Sequence, residues 1–344
     1  MRFGPLPLDA AEGAILAHSV ALPGGRLRKG QVLGADHISK LRAAGHDPVI
    51  AARPDPGDVD ENTAAARLAS ALVPDEGTGL AVDAAFTGRA NIRATGPGLI
   101  ALSPDAIAAL NAVDPMITLA TLPQWQRVET GMMVATVKII SYAVNARALE
   151  AAMAHATGAM RRAAPVLRDA DLVVTEVPGS PDRSDKGITA VWDRVTRLGL
   201  AAGETLHVPH DEDALADALG RCRADLVLVL TGSATSDIAD VAPAALVQAG
   251  GQVTRFGMPV DPGNLLVLGR LGPRPVIGLP GCARSPALNG ADWVLERIAC
   301  GIPVSSGDIA AMGVGGLLKE IPTRPQPRAK PPSGQAASLS RPAR

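Results

Sequence analysis

The sequence predicts an α/β protein: a three-layer α/β/α domain with a mostly parallel sheet, preceded by a smaller mixed α/β domain. Beyond Asp171, continuous apolar runs such as Leu-Val-Leu-Val-Leu at 226–230 alternate with amphipathic stretches of roughly ten to twelve residues, the pattern of parallel strands covered by helices on both faces. Polar turns at 231–240, 257–264 and 278–285 follow apolar runs, and open parallel sheets build their ligand sites at such turns.

Taken in order, residues 1–160 read as a mixed α/β accessory domain. Residues 35–44 form a short helix closed by Gly45, 58–72 an Ala-rich amphipathic helix, and Ser103-Pro104 caps and starts a helix to 112. The runs 116–122 and 132–141 suit strands. Residues 145–162 read as a helix joining the two halves, with Met153 and Met160 packing in a core. The domain 161–305 then takes strands at 171–177, 205–208, 225–230 and 252–256 and helices at 188–198, 211–221 and 238–249. Two further strands, 264–268 and 275–279, make a hairpin that gives the sheet one antiparallel edge. A helix at 287–299 closes the domain, stopped by Gly301 and Pro303. The remainder, 306–344, is an extension whose Pro-rich end carries Arg324, Arg328, Lys330, Arg341 and Arg344 without an acid, a composition expected to stay disordered.

With 344 residues, 47% apolar content and a net charge of -1, the chain can bury a large core and shows no bias toward nucleic acid or an anionic membrane. Aromatic residues make up 2%, which argues against recognition by base stacking. The start, Met1-Arg2-Phe3-Gly4-Pro5, lacks a secretory core, and no run of about 18 apolar residues could span a bilayer, so a cytoplasmic protein is expected. Cys222, Cys282 and Cys300 are too few and too far apart for a zinc knuckle or disulfide framework and read as reduced thiols. There is no Walker loop, Gly-x-Ser-x-Gly elbow or Gly-x-Gly-x-x-Gly, which argues against the ordinary nucleotide hydrolases, serine esterases and dinucleotide oxidoreductases.

The turn Thr231-Gly232-Ser233-Ala234-Thr235-Ser236-Asp237 leaves a strand, and Asp237 can cap the helix that follows. Main-chain amides from Ser233 to Ile238 would then face an anion, which needs no special side chain at a helix start. The same residues also suit an ordinary βα turn in which Ser, Thr and Asp are only caps. A carboxylate 4 Å from a phosphate costs about 4 kcal/mol at an effective dielectric near 20, so Asp237 and Asp240 either face away or hold a divalent cation such as Mg²⁺. Asp185-Lys186-Gly187-Ile188 adds a third acid and a cation at another helix start. His207 and His210 straddle a strand end and a helix start, which does not hold both rings on one face for a metal.

At these residues the chain resembles the molybdopterin-binding domain of the molybdenum-cofactor biosynthesis family, the MoeA and MogA type. Thr231-Gly232-Ser233-Ala234 and Ala239-Asp240-Val241-Ala242-Pro243 stand where that family has a Thr-Gly-Gly loop and an Asp-x-Thr/Val-Pro helix start. Asp185-Lys186-Gly187-Ile188, Val260-Asp261-Pro262-Gly263 and Gly278-Leu279-Pro280-Gly281 are similar to its Asp-Lys-Gly, Lys-Pro-Gly-Lys and Gly-Leu-Pro-Gly loops. The N-terminal half, including Thr87-Gly88-Arg89-Ala90-Asn91, resembles bacterial chains that continue into a cytidylyltransferase-like domain. The resemblance implies that Thr231, Gly232, Ser233, Ala234, Ser236 and Asp237 hold the pterin's phosphate, with Pro259, Asp261, Pro280 and Gly281 shaping the pocket. It implies that Asp240 and Asp185 are catalytic and hold Mg²⁺ or orient the dithiolene and molybdate. It also implies a homo-oligomer that takes molybdopterin or its adenylylated form, either as a molybdate or adenylyl transferase or as a pterin carrier docking a nucleotidyltransferase. Ser233 replaces the second loop glycine, and a left-handed backbone there would carry about a kcal/mol of strain or more.

Overall fold

A computed structural model describes residues 1–179 and 184–318; the basic Pro-rich end predicted to be disordered lies outside the described residues. The chain forms two compact units, one of Met1–Arg168, Thr196–Ala201 and Glu296–Pro303, the other of Asp169–Val195, Ala202–Leu295 and Val304–Arg344.

The first unit holds a small N-terminal apolar core, a larger one, and a minor cluster of Leu99, Ala163 and Cys300. Leu8, Leu16, Leu27, Leu33, Leu41 and Val49 close the N-terminal one, built on the strands Arg2–Leu6, Val49–Arg53 and Ile15–Leu16. The larger core joins the helix Glu61–Leu72 to a four-stranded sheet. That helix starts where Asp60 accepts the amides of Asn62 and Thr63, and it buries Ala64, Ala65, Leu68, Ala69 and Leu72, a stripe at helical spacing. Ser103 caps the helix Pro104–Val113 as its Ser-Pro start predicts. The predicted helix at 145–162 ends earlier: Asn145 caps Ala146–Ala154, and Met160–Ala163 is a strand paired with Gly98–Leu102. Gly158, at φ +71°, reverses the chain between them, so Met160 reaches the core from a strand.

The second unit is the predicted three-layer α/β/α fold. Its elements are β1 Asp169–Glu176, α1 Ser184–Arg197, β2 Ala201–Pro209, α2 Glu212–Arg221, β3 Leu226–Leu230, α3 Val241–Gln248, β4 Gln252–Phe256, β5 Val267–Leu271, β6 Arg274–Leu279, α4 Gly290–Ala299 and α5 Ser306–Ala311. The six strands lie in the order β2-β1-β3-β6-β5-β4. β1, β3 and β6 run parallel. All five residues of β3 are buried. Val227 and Val229 pack with Leu215 and Leu219 of α2 and with Ala245 and Leu246 of α3. Strand side chains alternate, so Leu226, Leu228 and Leu230 face the opposite way, where they too are buried. Two expectations are corrected. The hairpin is β5 with β6, turned at Gly272-Pro273, and β4 pairs outside β5, so the antiparallel strand sits one place in from the edge. Helix α3 begins at Val241 and not at 238, because Asp240 is its N-cap.

Candidate functional site

The carboxyl ends of β1, β3 and β6 carry the motif turns. Leu230 ends β3 in the core, Thr231 is still buried, and the chain then runs to the surface through Gly232, Ser233 and Ala234. The Gly232 amide donates to the hydroxyl of buried Thr175 at the end of β1, 2.9 Å away, and that hydroxyl shares a 2.8 Å hydrogen bond with His210 Nδ1. Gly232 is needed for closeness, since a Cβ there would lie 2.6 Å from the Thr175 carbonyl oxygen. Ser233 has no positive φ, so the strain that a left-handed serine would carry does not arise.

Asp240 and Asp237 divide the capping differently from the sequence reading. The Asp237 carboxylate accepts the Ala239 amide, two residues on, closing its own turn at 2.8 Å, and its carbonyl accepts the Asp240 amide at 3.2 Å. Asp240 uses one carboxylate oxygen on its helix, from the Val241 amide, and the other on the loop, from the Ser236 amide, each at 2.8 Å. The carboxylate therefore clasps the loop to the start of α3, where the helix dipole favours it. Between these fixed points the amides of Ser233, Ala234 and Thr235 have no hydrogen-bond acceptor among the described residues. The hydroxyls of Thr231 and Thr235 likewise have no partner among the described residues, although the two residues are only 5% and 7% exposed.

Arg284 connects the motifs. It lies in the short 3-10 turn Gly281–Arg284 after β6, and its Nη2 donates to the Thr231 carbonyl at 2.8 Å. A Cβ on Gly187 would sit 3.1 Å from its Cγ and Nη1, so the start of α1 packs against the same side chain. Segments 185–188, 231–236 and 278–285 thus meet around one guanidinium. Asp185 is exposed at that start, and its carbonyl accepts from Thr189. Pro280 is buried and Gly281 exposed, with open space around the latter's Cα. The fourth motif bends toward the chain's later part: Pro259 is exposed, and Asp261 exchanges main-chain hydrogen bonds with Gly316 and Leu318. Gly263 closes against Gly290 and Asn289 at the start of α4.

Behind Arg284 stands Arg194 of α1, 6% exposed. Its Nε bonds Asp292 of α4, Nη1 donates to the carbonyls of Ala190 and Ala283, and Nη2 to those of Ser285 and Ala287. Five donors with five acceptors fix the backbone that carries Arg284. Sequence reasoning assigned no role to Arg284, Arg194 or Thr175. A basic residue three places after the Gly278-Leu279-Pro280-Gly281 motif was the available signal for the first.

Among the described residues no group of three or more His, Cys, Asp and Glu side chains comes together as a metal-ligand set. His207 pairs with Glu176 and His210 with Thr175. Burial pushes the thiols of Cys222 and Cys300 up to about 11, which leaves them inert, whereas Cys282 is exposed and its sulfur accepts from Asn289 Nδ2 at 3.0 Å. Among the described residues no helix is long and apolar enough to cross a membrane.

A family model described as a domain of unknown function (DUF8806) matches residues 5–53, the stretch that carries the small N-terminal core. No curated protein matches the chain. Among solved structures it is similar to the molybdopterin biosynthesis MoeA protein from Pyrococcus horikosii, at 14% identity over 87% of this chain and 75% of that one, with a TM-score of 0.31. Molybdenum cofactor biosynthesis protein B aligns at 16% identity over 39% of this chain and 88% of its own, TM-score 0.27. A molybdopterin biosynthesis protein from Mycobacterium abscessus aligns at 17% over 40% and 94%, TM-score 0.27.

Proposed function

We propose that the six-stranded unit binds molybdopterin in the service of molybdenum-cofactor biosynthesis. The observation that supports this is the meeting of segments 185–188, 231–236 and 278–285 around Arg284, because these are the stretches whose residues resemble the family's loops. In this reading Thr231, Gly232, Ser233, Ala234 and Ser236 surround the phosphate end and Pro280 and Gly281 line the pterin. The unpaired amides of Ser233, Ala234 and Thr235 suit an anion.

Carrying the pterin, rather than transferring a group to it, is the form we favour, and Asp240 is the reason. Both of its carboxylate oxygens already receive main-chain amides, and Asp185 stands exposed. Two such acids do not make up a protein-held Mg²⁺ site, which would take most of its six ligands from elsewhere. We route no step through that ion. Anaerobic titration of the purified chain with molybdopterin, followed by pterin fluorescence and by melting temperature, is expected to give saturable binding and a higher Tm. Absence of both would sink the reading. Turnover of adenylylated molybdopterin with molybdate by the isolated chain would replace the carrier by a transferase.

A further inference from the structure

We propose that the N-terminal part of the first unit carries a ligand site of its own, a cavity that takes a small aliphatic carboxylate between Arg2 and Arg53. It is independent of the pterin reading. The strands Arg2–Leu6 and Val49–Arg53 run antiparallel, with Arg2 opposite Arg53, Gly4 opposite Ala51 and Leu6 opposite Val49. Residues opposite one another, and those two apart along a strand, share a face of the sheet. One face therefore passes from two guanidiniums, over a bare strip at Gly4 and Ala51, to an apolar end at Leu6. A cavity of about 660 Å³ stands over it, with all five of these residues in its lining. That is room for a molecule of metabolite size. A Cβ on Gly4 would meet nothing within 4 Å, so the strip is open.

Charge decides what the cavity takes. Like charges directly opposite on one sheet face destabilise the pair, and Arg2 and Arg53 are such a pair. Arg2 meets Asp55 through its Nε, at 3.3 Å, with a side chain 77% exposed. Arg53 is tied back by one nitrogen, Nη2, which donates to the main-chain oxygens of Ala10 and Glu12. Among the described residues this leaves Nη1 and Nη2 of Arg2, and Nε and Nη1 of Arg53, without a partner. Two guanidinium forks on one face match the planar oxygens of a carboxylate, and an anion between them offsets their repulsion. Asp9 and Glu12 also line the cavity. Asp9 is paired with Arg42, whereas the Glu12 carboxylate has no partner among the described residues. Its charge disfavours a dianion such as phosphate and leaves a monoanion as the better fit. The strip at Gly4 and Ala51 then receives the ligand's hydrocarbon end.

The test titrates butyrate into the full-length chain and its Arg2→Gln, Arg53→Lys and Arg53→Gln variants, following the ligand protons by saturation-transfer difference NMR. Butanol is the uncharged comparison, and propionate and inorganic phosphate are competitors. The wild type should give a saturable signal with butyrate and none with butanol, and propionate should displace butyrate at lower concentration than phosphate does. Arg2→Gln should weaken butyrate binding roughly 3- to 10-fold and Arg53→Gln roughly 10- to 100-fold, each the loss of a charge-assisted contact. Arg53→Lys should fall between the wild type and Arg53→Gln, keeping the charge without the fork. Arg53 also ties down the main chain at Ala10 and Glu12, so Arg2→Gln, at an exposed position, decides the matter if the Arg53 variants do not fold. No saturable signal in the wild type, equal affinity of wild type and Arg2→Gln, butanol binding as well as butyrate, or phosphate competing better than propionate would each overturn the proposal.

Discussion

The two ends of the six-stranded sheet are built from similar parts to opposite effect. At the amino end of β1, Asp171 is 5% exposed and its carboxylate takes the amides of Glu204, Arg223 and Ala224 at 2.8–3.0 Å. Asp169 takes the Asp225 amide beside it. At the carboxyl end Asp240 also takes amides, but only those at the margins of its loop, and the stretch between stays without acceptors among the described residues. One end is sealed by its acids and the other is held open by them. An acidic residue in a βα turn is therefore no signature of chemistry until its amides are counted.

The largest expected effect breaks the sealed end. Asp171→Ala leaves three amides without their acceptor, that of Ala224 buried and those of Glu204 and Arg223 part-buried, and should destabilise the protein by about 2 kcal/mol or more, measured by urea unfolding, while ligand affinity at the other end is unchanged. Its pH dependence sharpens the point. Burial alone would raise the Asp171 pKa, but the three amides and the charge of Arg274 bring it below the ordinary carboxylate value. A lowered folded-state pKa gives stability that is present above the unfolded value near 3.9 and is lost as pH falls through the folded one. Below about pH 4 the wild type should thus lose stability more steeply than Asp171→Asn, as read by acid titration of unfolding midpoints.

At the open end the contrast is between glycines. Gly232→Ala forces a methyl to 2.6 Å from the Thr175 carbonyl and 3.1 Å from the Val177 amide nitrogen, both main chain, so the loop must shift. A loss of about 1–3 kcal/mol together with ligand binding is expected, whereas Gly281→Ala, with nothing within 4 Å of the new methyl, should leave the melting temperature in place. The smallest effect is Ser233→Gly. Because Ser233 has no positive φ, restoring the second glycine relieves no strain and should change stability by less than about 1 kcal/mol, slightly for the worse.

Much of the second unit was legible because β3, β4 and their helices keep their own period over whole elements. Strand β4 spans Gln252–Phe256 as read from its apolar pattern, and α2 lies within a residue of its predicted start behind the Asp211 cap. Helix α3 shows what periodicity misses: Asp237 and Asp240 can each cap a helix, and the choice depends on which carboxylate can also reach back to Ser236. Arg284 was hidden for a related reason, since its carbonyl partner Thr231 lies 53 residues away in the chain. The small N-terminal core was hardest, for its strands are two to five residues long and give no period to read.

Arg194 grips main-chain oxygens at three places from Ala283 to Ala287, so the path of that turn is held from beneath, with the Ser285 hydroxyl adding one bond from the Ala287 amide. An outward-facing position such as Leu288, 54% exposed, is thereby relieved of shaping the backbone. Its side chain can drift, or be rewritten by an engineer, to suit a new partner while the guanidinium at 284 stays where it is.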